Sequence, residues 1–129
     1  MNRSNWKRAH QDITEVFNRL NELSLIALQK AGTTQSDGFS DCVELYNAQQ
    51  LNQDAFLGFC FYTGQDEKRA KKTSELPLAI WGSPEGDDKA TETIGQLVVD
   101  IFTDSGFTVE WNGSSKTRPI LYLHGYSAK

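Results

Sequence analysis

The chain has 129 residues, 38% of the hydrophobic class and 23% charged, which suits one folded domain and excludes a disordered or disulfide-stapled chain. Thirteen basic against seventeen acidic side chains leave a net charge of −4, the wrong sign for a nucleic-acid or anionic-membrane binder. No apolar run approaches the roughly 20 residues that span a bilayer, and Met1 to Trp6 is polar rather than a secretory leader. Two cysteines, Cys42 and Cys60, read as reduced thiols, so the expected location is the cytoplasm.

Residues 4–31 are expected to form one long helix. Ser4 would be its N-cap, Gly32 would close it, and Ile13, Val16, Phe17, Leu20, Leu23 and Ala27 would form its apolar stripe. Residues 33–41, rich in Thr, Ser, Asp and Gly, read as a loop. Residues 42–53 could make a short helix. Ala55–Tyr62 is dense in aromatics and reads as a central strand buried on both faces. A short polar helix follows over 65–73, then a second strand at Leu76–Trp81, closed by Gly82, Ser83 and Pro84.

The clearest helix is 88–105, capped by Asp87 or Asp88, with Ile94, Leu97, Val98, Ile101 and Phe102 inward and Gly106 closing it. Phe107–Trp111 alternates apolar and polar residues as a half-exposed strand does. Asn112–Ser115 is a turn, and Ile120–Leu123 a last short strand. Pro119 cannot donate to a ladder, so that strand should start there or lie at an edge. The fold expected is α/β, a single domain over residues 1–129. After the long helix the order is β-α-β-α-β-β, with a mixed sheet of about four strands and helices packed on it. The helix at 88–105 suggests a right-handed crossover between parallel strands. The short final turn suggests an antiparallel hairpin.

Three segments carry a family likeness: Gly58–Ala70, containing Phe59-Cys60-Phe61-Tyr62 and then Gln65-Asp66-Glu67; Leu76–Ser83; and Gly106–Gly113, running on to Arg118. Their order and spacing resemble an uncharacterised family of small bacterial domains of unknown function. That family shows an aromatic strand ending in Gln-Asp and a late Gly-x-x-Val-x-Trp-x-Gly stretch before an Arg. The resemblance covers about residues 55–123 and implies no assigned activity. Members often carry a cysteine cluster before the aromatic strand, where this chain has Cys42 alone. The general style is also similar to the small cytosolic proteins that neutralise bacterial toxins.

Polar groups at the carboxyl end of a strand often bind ligands in open sheets, which makes Tyr62, Gln65, Asp66, Arg69 and Arg118 candidates for binding. Asp66 is read first as the N-cap of the following helix. Lys68, Arg69, Lys71 and Lys72 could grip phosphate or an acidic partner, but such a run is more often a solvated helix face. Trp81 would be an interface anchor if partly exposed and core if buried. His10, His124, Cys42 and Cys60 lack metal-ligand spacing, and no phosphate loop or nucleophile–base pair stands out. No cofactor, metal or catalytic residue is expected.

The leading expectation is a non-catalytic protein-binding module of the immunity or inhibitor type, whose partner is a protein such as a basic toxin or enzyme. The alternative is a small-ligand domain or small enzyme with its site at the carboxyl end of the 55–62 strand.

Overall fold

A computed structural model describes residues 1–48 and 56–124. The first helix, α1 (Arg3–Glu22), buries Trp6, Ala9, Ile13, Val16, Phe17 and Leu20 along one stripe. Its N-cap is Asn2 rather than Ser4, since the Asn2 side chain accepts the Asn5 N–H at 2.8 Å. The helix also stops nine residues short of the expected Ala31. Ser24 adopts a left-handed φ of 70°, and Leu25–Leu28 becomes the first strand, β1. The Asn21 side chain closes the outer edge of β1: its Oδ1 accepts the Ala27 N–H at 2.9 Å and its Nδ2 donates to the Ala27 carbonyl at 3.1 Å. An edge strand needs such cover against pairing with other chains.

The expected loop at 33–41 is the first half of a second helix, α2 (Gln35–Ala48). The expected short helix at 42–53 is its second half as far as Ala48, and residues 49–53 lie outside the described residues. Strand β2 (Gly58–Phe61) is buried on both faces, as its apolar density implies, but it is shorter than the expected Ala55–Tyr62: Phe56, Leu57 and Tyr62 lie outside it, and Ala55 is not among the described residues. Helix α3 (Gly64–Thr73) follows. The stretch Leu76–Trp81 is not one strand. Leu78 turns the chain, donating its N–H to the Pro119 carbonyl at 2.8 Å. It thereby separates β3 (Glu75–Pro77) from β4 (Ala79–Gly82). Helix α4 (Asp88–Asp104) is capped by Asp87, whose side chain accepts the Ala90 N–H at 2.7 Å, and Gly106 follows it at φ 96°. Strands β5 (Thr108–Glu110) and β6 (Ile120–Tyr122) complete the fold.

The class is mixed α/β with a long N-terminal helix, but among the described residues the strands form two sheets of three rather than one of about four. The first is mixed, in the order β1-β2-β4, with β1 parallel and β4 antiparallel to β2. The second is antiparallel, in the order β3-β6-β5. The parallel crossover through α4 is therefore absent, because β4 and β5 belong to different sheets. The expected hairpin of the last two strands is present. β6 starts directly after Pro119 and lies at the centre of its sheet, so the proline's missing donor costs no ladder bond.

The mixed sheet has two unequal faces. One side of its strands, through Leu25, Ala27, Cys60 and Tyr62, joins α1, α4 and the second sheet in a cluster of nineteen buried apolar residues. The other side, through Ile26, Phe59, Phe61 and Ala79, meets α2, the Ala31 turn and Phe56 among the described residues, in a cluster of six buried residues. These alternate residues part to opposite faces because side chains alternate along a strand.

Candidate interaction surface

Asp66 and Arg118, 52 residues apart, come together at the carboxyl end of β2. The Arg118 guanidinium donates to both Asp66 carboxylate oxygens, at 3.1 and 2.6 Å, and to the Pro77 carbonyl at 3.3 Å. A bidentate pair of this kind combines charge with fixed geometry. It ties α3 to the start of β6. Asp66 is not the N-cap of α3. Thr63 is the cap, and Asp66 is the third residue of a capping box: Thr63 Oγ1 accepts the Asp66 N–H at 3.1 Å, and Asp66 Oδ2 accepts the Thr63 N–H at 2.9 Å.

Tyr62 is fully buried. Its hydroxyl accepts from Gln29 Nε2 at 3.2 Å, and Gln29 also donates to Thr14 Oγ1 at 3.0 Å. Burial pushes the Tyr62 phenol up to about 12. Gln65 is exposed, and Arg69 points outward to pair with Glu75 at 3.1 Å. Lys68, Lys71 and Lys72 are exposed as well, the solvated face of α3, with the Lys71 ammonium 5.7 Å from the centre of the Trp6 ring. Of the residues expected to converge at this strand end, Asp66 and Arg118 bind each other, Tyr62 serves the core, and Gln65 and Arg69 face solvent apart from them. Among the described residues, no three of His, Cys, Asp and Glu are grouped to hold a metal ion.

Trp81, the remaining candidate, lies on the opposite face under α2. It is half-buried and stacks on Phe59, with ring centroids 4.5 Å apart and planes at 22°. Phe39 and Tyr46 of α2 each meet the Trp81 ring edge-on at 6.1 Å, and each also contacts Phe59. Edge-to-face and offset stacks are favoured arrangements for aromatic rings. Phe39 stays 37% exposed. Trp81 is held from its other side by the loop after β4. Gly86, at φ 70°, lies so close to the indole nitrogen that any side chain there would collide with it.

The helix covers the sheet thinly. Of its 14 residues only Gly38 and Cys42 are buried. Gly38 lets the helix approach the Phe61 ring, which a Cβ at that position would strike. Burial pushes the Cys42 thiol up to about 12, helped by the charge of Asp41, and raises the Cys60 thiol in the same direction.

A groove lies next to the aromatic cluster. The Tyr46 hydroxyl lies 3.3 Å from Ser83 Oγ, and Ser83 lines an open groove of about 690 Å³ whose wall combines Leu57, Ala90, Ile94 and Leu97 with Asp87, Asp88, Lys89 and Thr93. Leu57 is 49% exposed there. On the opposite flank of α2, Leu45 is 44% exposed beside a smaller hollow of about 250 Å³ that it shares with Phe56 and β1. Phe39, Tyr46, Leu45 and Leu57 were not among the sequence candidates. Phe39, Val43 and Tyr46 do carry a helical i, i+4, i+7 spacing that points to one face, but the glycine and serines around them suggest a loop.

No curated protein and no solved structure matches the chain. One family, described as a domain of unknown function (DUF6891), matches residues 3–121. That span takes in α1 and α2 as well as all but the last two residues of the 55–123 region that carries the motif likeness. The chain belongs to this family.

Proposed function

We propose that the chain is a non-catalytic, cytoplasmic protein-binding module of the inhibitor or immunity type, which neutralises a toxin or regulates an enzyme by covering it. One observation carries this reading: the half-exposed aromatic cluster of Phe39, Tyr46 and Trp81, held on Phe59 and adjoining at Ser83 an open groove with a largely apolar wall. Binding energy at protein interfaces concentrates in such rigid, partly buried aromatic residues. Exposed contiguous apolar surface on a soluble domain commonly marks an interaction site. At the carboxyl end of β2, by contrast, the strongest polar groups are spent on internal bonds. The inhibitor type rests on small size and net acidity, and the cytoplasmic setting on two free, buried cysteines.

A photoreactive residue in place of Leu45, introduced in the native host, tests the reading against one in place of the exposed Gln11 on α1. The expected result is a discrete protein adduct from position 45 that position 11 does not form. Phe39→Ser should abolish it. No adduct at position 45, or the same adducts at both positions, overturns the reading.

A further inference from the structure

Of the chain's seven asparagines only Asn112, in the turn after β5, precedes a glycine. Asparagine is chemically labile, because the next backbone nitrogen can attack its side-chain carbonyl carbon and close a succinimide ring. A side chain on that next residue obstructs the closure, and glycine has none. Asn5, Asn18 and Asn21 lie inside α1 and Asn47 inside α2, where the next N–H belongs to the helix. The Asp37–Gly38 pair is restrained in the same way, since the Gly38 N–H donates to the Thr34 carbonyl at 3.0 Å. Gly113 escapes this restraint. It is exposed at φ 85°, with open space where a Cβ would stand, and its N–H makes no hydrogen bond among the described residues. The Asn112 side chain is meanwhile held for attack. Its Oδ1 accepts the Ser114 N–H at 2.9 Å, which folds the carboxamide back across the Gly113 amide. The Thr117 hydroxyl donates to the same oxygen at 2.6 Å, nearer than its other acceptor, the Ser114 carbonyl at 3.1 Å. Two donors thus meet the oxygen on which negative charge develops when the carbonyl is attacked.

We propose that Asn112–Gly113 is a self-modification site, where the turn converts its own asparagine to aspartate and isoaspartate and so releases the loop from α4. Hydroxide removes the Gly113 N–H proton, and the nitrogen bonds to Asn112 Cγ. The Cγ–Nδ2 bond breaks, and the departing nitrogen takes protons from water to leave as ammonia, regenerating hydroxide. Water then opens the ring. Attack at Cγ gives aspartate, and attack at the main-chain carbonyl gives isoaspartate. The net change consumes one water and releases one ammonia, without oxidation or reduction. Isoaspartate lengthens the main chain by a carbon, and both products add a carboxylate. The loop they alter is tied down at several points. The Trp111 indole N–H donates to the Ser114 and Thr117 carbonyls at 3.2 and 3.3 Å. Ser115 donates through Oγ to Asp88 at 2.8 Å and through its N–H to Glu92 at 3.2 Å. A longer main chain shifts the register of these bonds, and a further carboxylate is repelled by Asp88 and Glu92.

The test incubates the full chain at neutral and at mildly alkaline pH and follows every asparagine by peptide mass spectrometry. Asn112 is expected to show the mass gain of amide-to-acid conversion before any other asparagine, faster at the higher pH, in two chromatographically separate products. Thr117→Val should slow the conversion by about threefold or more, a smaller loss than for a donor in a buried site because this one faces water. Thr117→Ser keeps the hydroxyl and should restore the rate. A purely structural Thr117 predicts the opposite sign for Thr117→Val, because a loosened turn frees the asparagine to react. Dispersed amide spectra establish that both variants fold. In the converted chain the Trp111 indole N–H should exchange with solvent faster than in fresh chain. Earlier conversion at another asparagine overturns the proposal, as does a Thr117→Val rate equal to or above that of the wild type. So does a Thr117→Ser rate as slow as that of Thr117→Val, or indole exchange that conversion leaves unchanged.

Discussion

The two faces of the mixed sheet are built from the same strands yet differ in depth. Leu25, Ala27, Cys60 and Tyr62 point into a core closed by α1, α4 and the second sheet, where Phe17 meets Tyr62 and Phe102 edge-on at 5.6 and 6.1 Å. Ile26, Phe59 and Phe61 point the other way, where among the described residues one helix, burying two of its residues, lies over them. Stability in a small domain follows the apolar area removed from water. The deep face therefore holds the fold, and the shallow face is left with aromatic rings it does not fully cover. Interaction surfaces are drawn from such less stable regions, because few buried contacts constrain them.

The largest expected effect lies on the deep face. Phe17→Ala should cost about 3–5 kcal/mol in chemical denaturation, the range for removing a fully buried aromatic. If Phe17→Ala costs no more than a shallow-face substitution, the faces are energetically alike and the comparison breaks. Next comes the pair that links α3 to β6. Asp66→Ala removes both carboxylate oxygens from Arg118 and breaks the capping box, with an expected loss of about 2–3 kcal/mol. That is below the cost of breaking a fully buried pair, because the Arg118 side chain keeps 27% of its exposure. Asp66→Asn should cost roughly 1–2 kcal/mol, since an amide oxygen can still accept the Thr63 N–H but cannot form the two-pronged ion pair. Equal unfolding midpoints for the wild type and Asp66→Asn would show that the charge contributes nothing. The smallest effect belongs to Phe39→Ala. It should lower stability by about 1 kcal/mol or less, because the ring is part exposed and alanine is the better helix former.

Helices α3 and α4 and the doubly buried β2 were legible because their signals are local. Asp87 caps, Ile94, Val98 and Phe102 recur at helical spacing, and Gly106 takes the left-handed turn. β1 was hidden because Leu25-Ile26-Ala27-Leu28 is apolar at every position, a run that periodicity cannot assign to helix or strand. The break before it falls on Ser24, which bears no mark of a left-handed residue. α2 was hidden by its own shallowness, since a helix whose buried positions are Gly38 and Cys42 has hardly any apolar stripe to read. The split of Leu76–Trp81 depends on Leu78 finding Pro119, a contact 41 residues away.

The candidate site was legible in part for the same reason. Trp81 stood out by residue type, and Asp66 and Arg118 by motif, but the pairing of those two is long-range. So is the meeting of Phe39 and Tyr46 with Trp81. Nothing in the local sequence distinguishes an Asp66 that binds a ligand from one that binds Arg118.

The two cysteines report on the two faces separately. Cys42 is buried on the inner side of α2 at the shallow face, and Cys60 in the deep core. With both thiols raised by burial, neither should react in the closed protein, so each is labelled only when its surroundings open. Peptide-resolved thiol labelling under native conditions is the most direct test of the unequal-faces account. Cys42 should label about tenfold or more faster than Cys60, through an opening of α2 that depends little on denaturant, while Cys60 follows global unfolding. Equal rates with the same denaturant dependence would mean that α2 opens only with the whole domain, and would contradict the account.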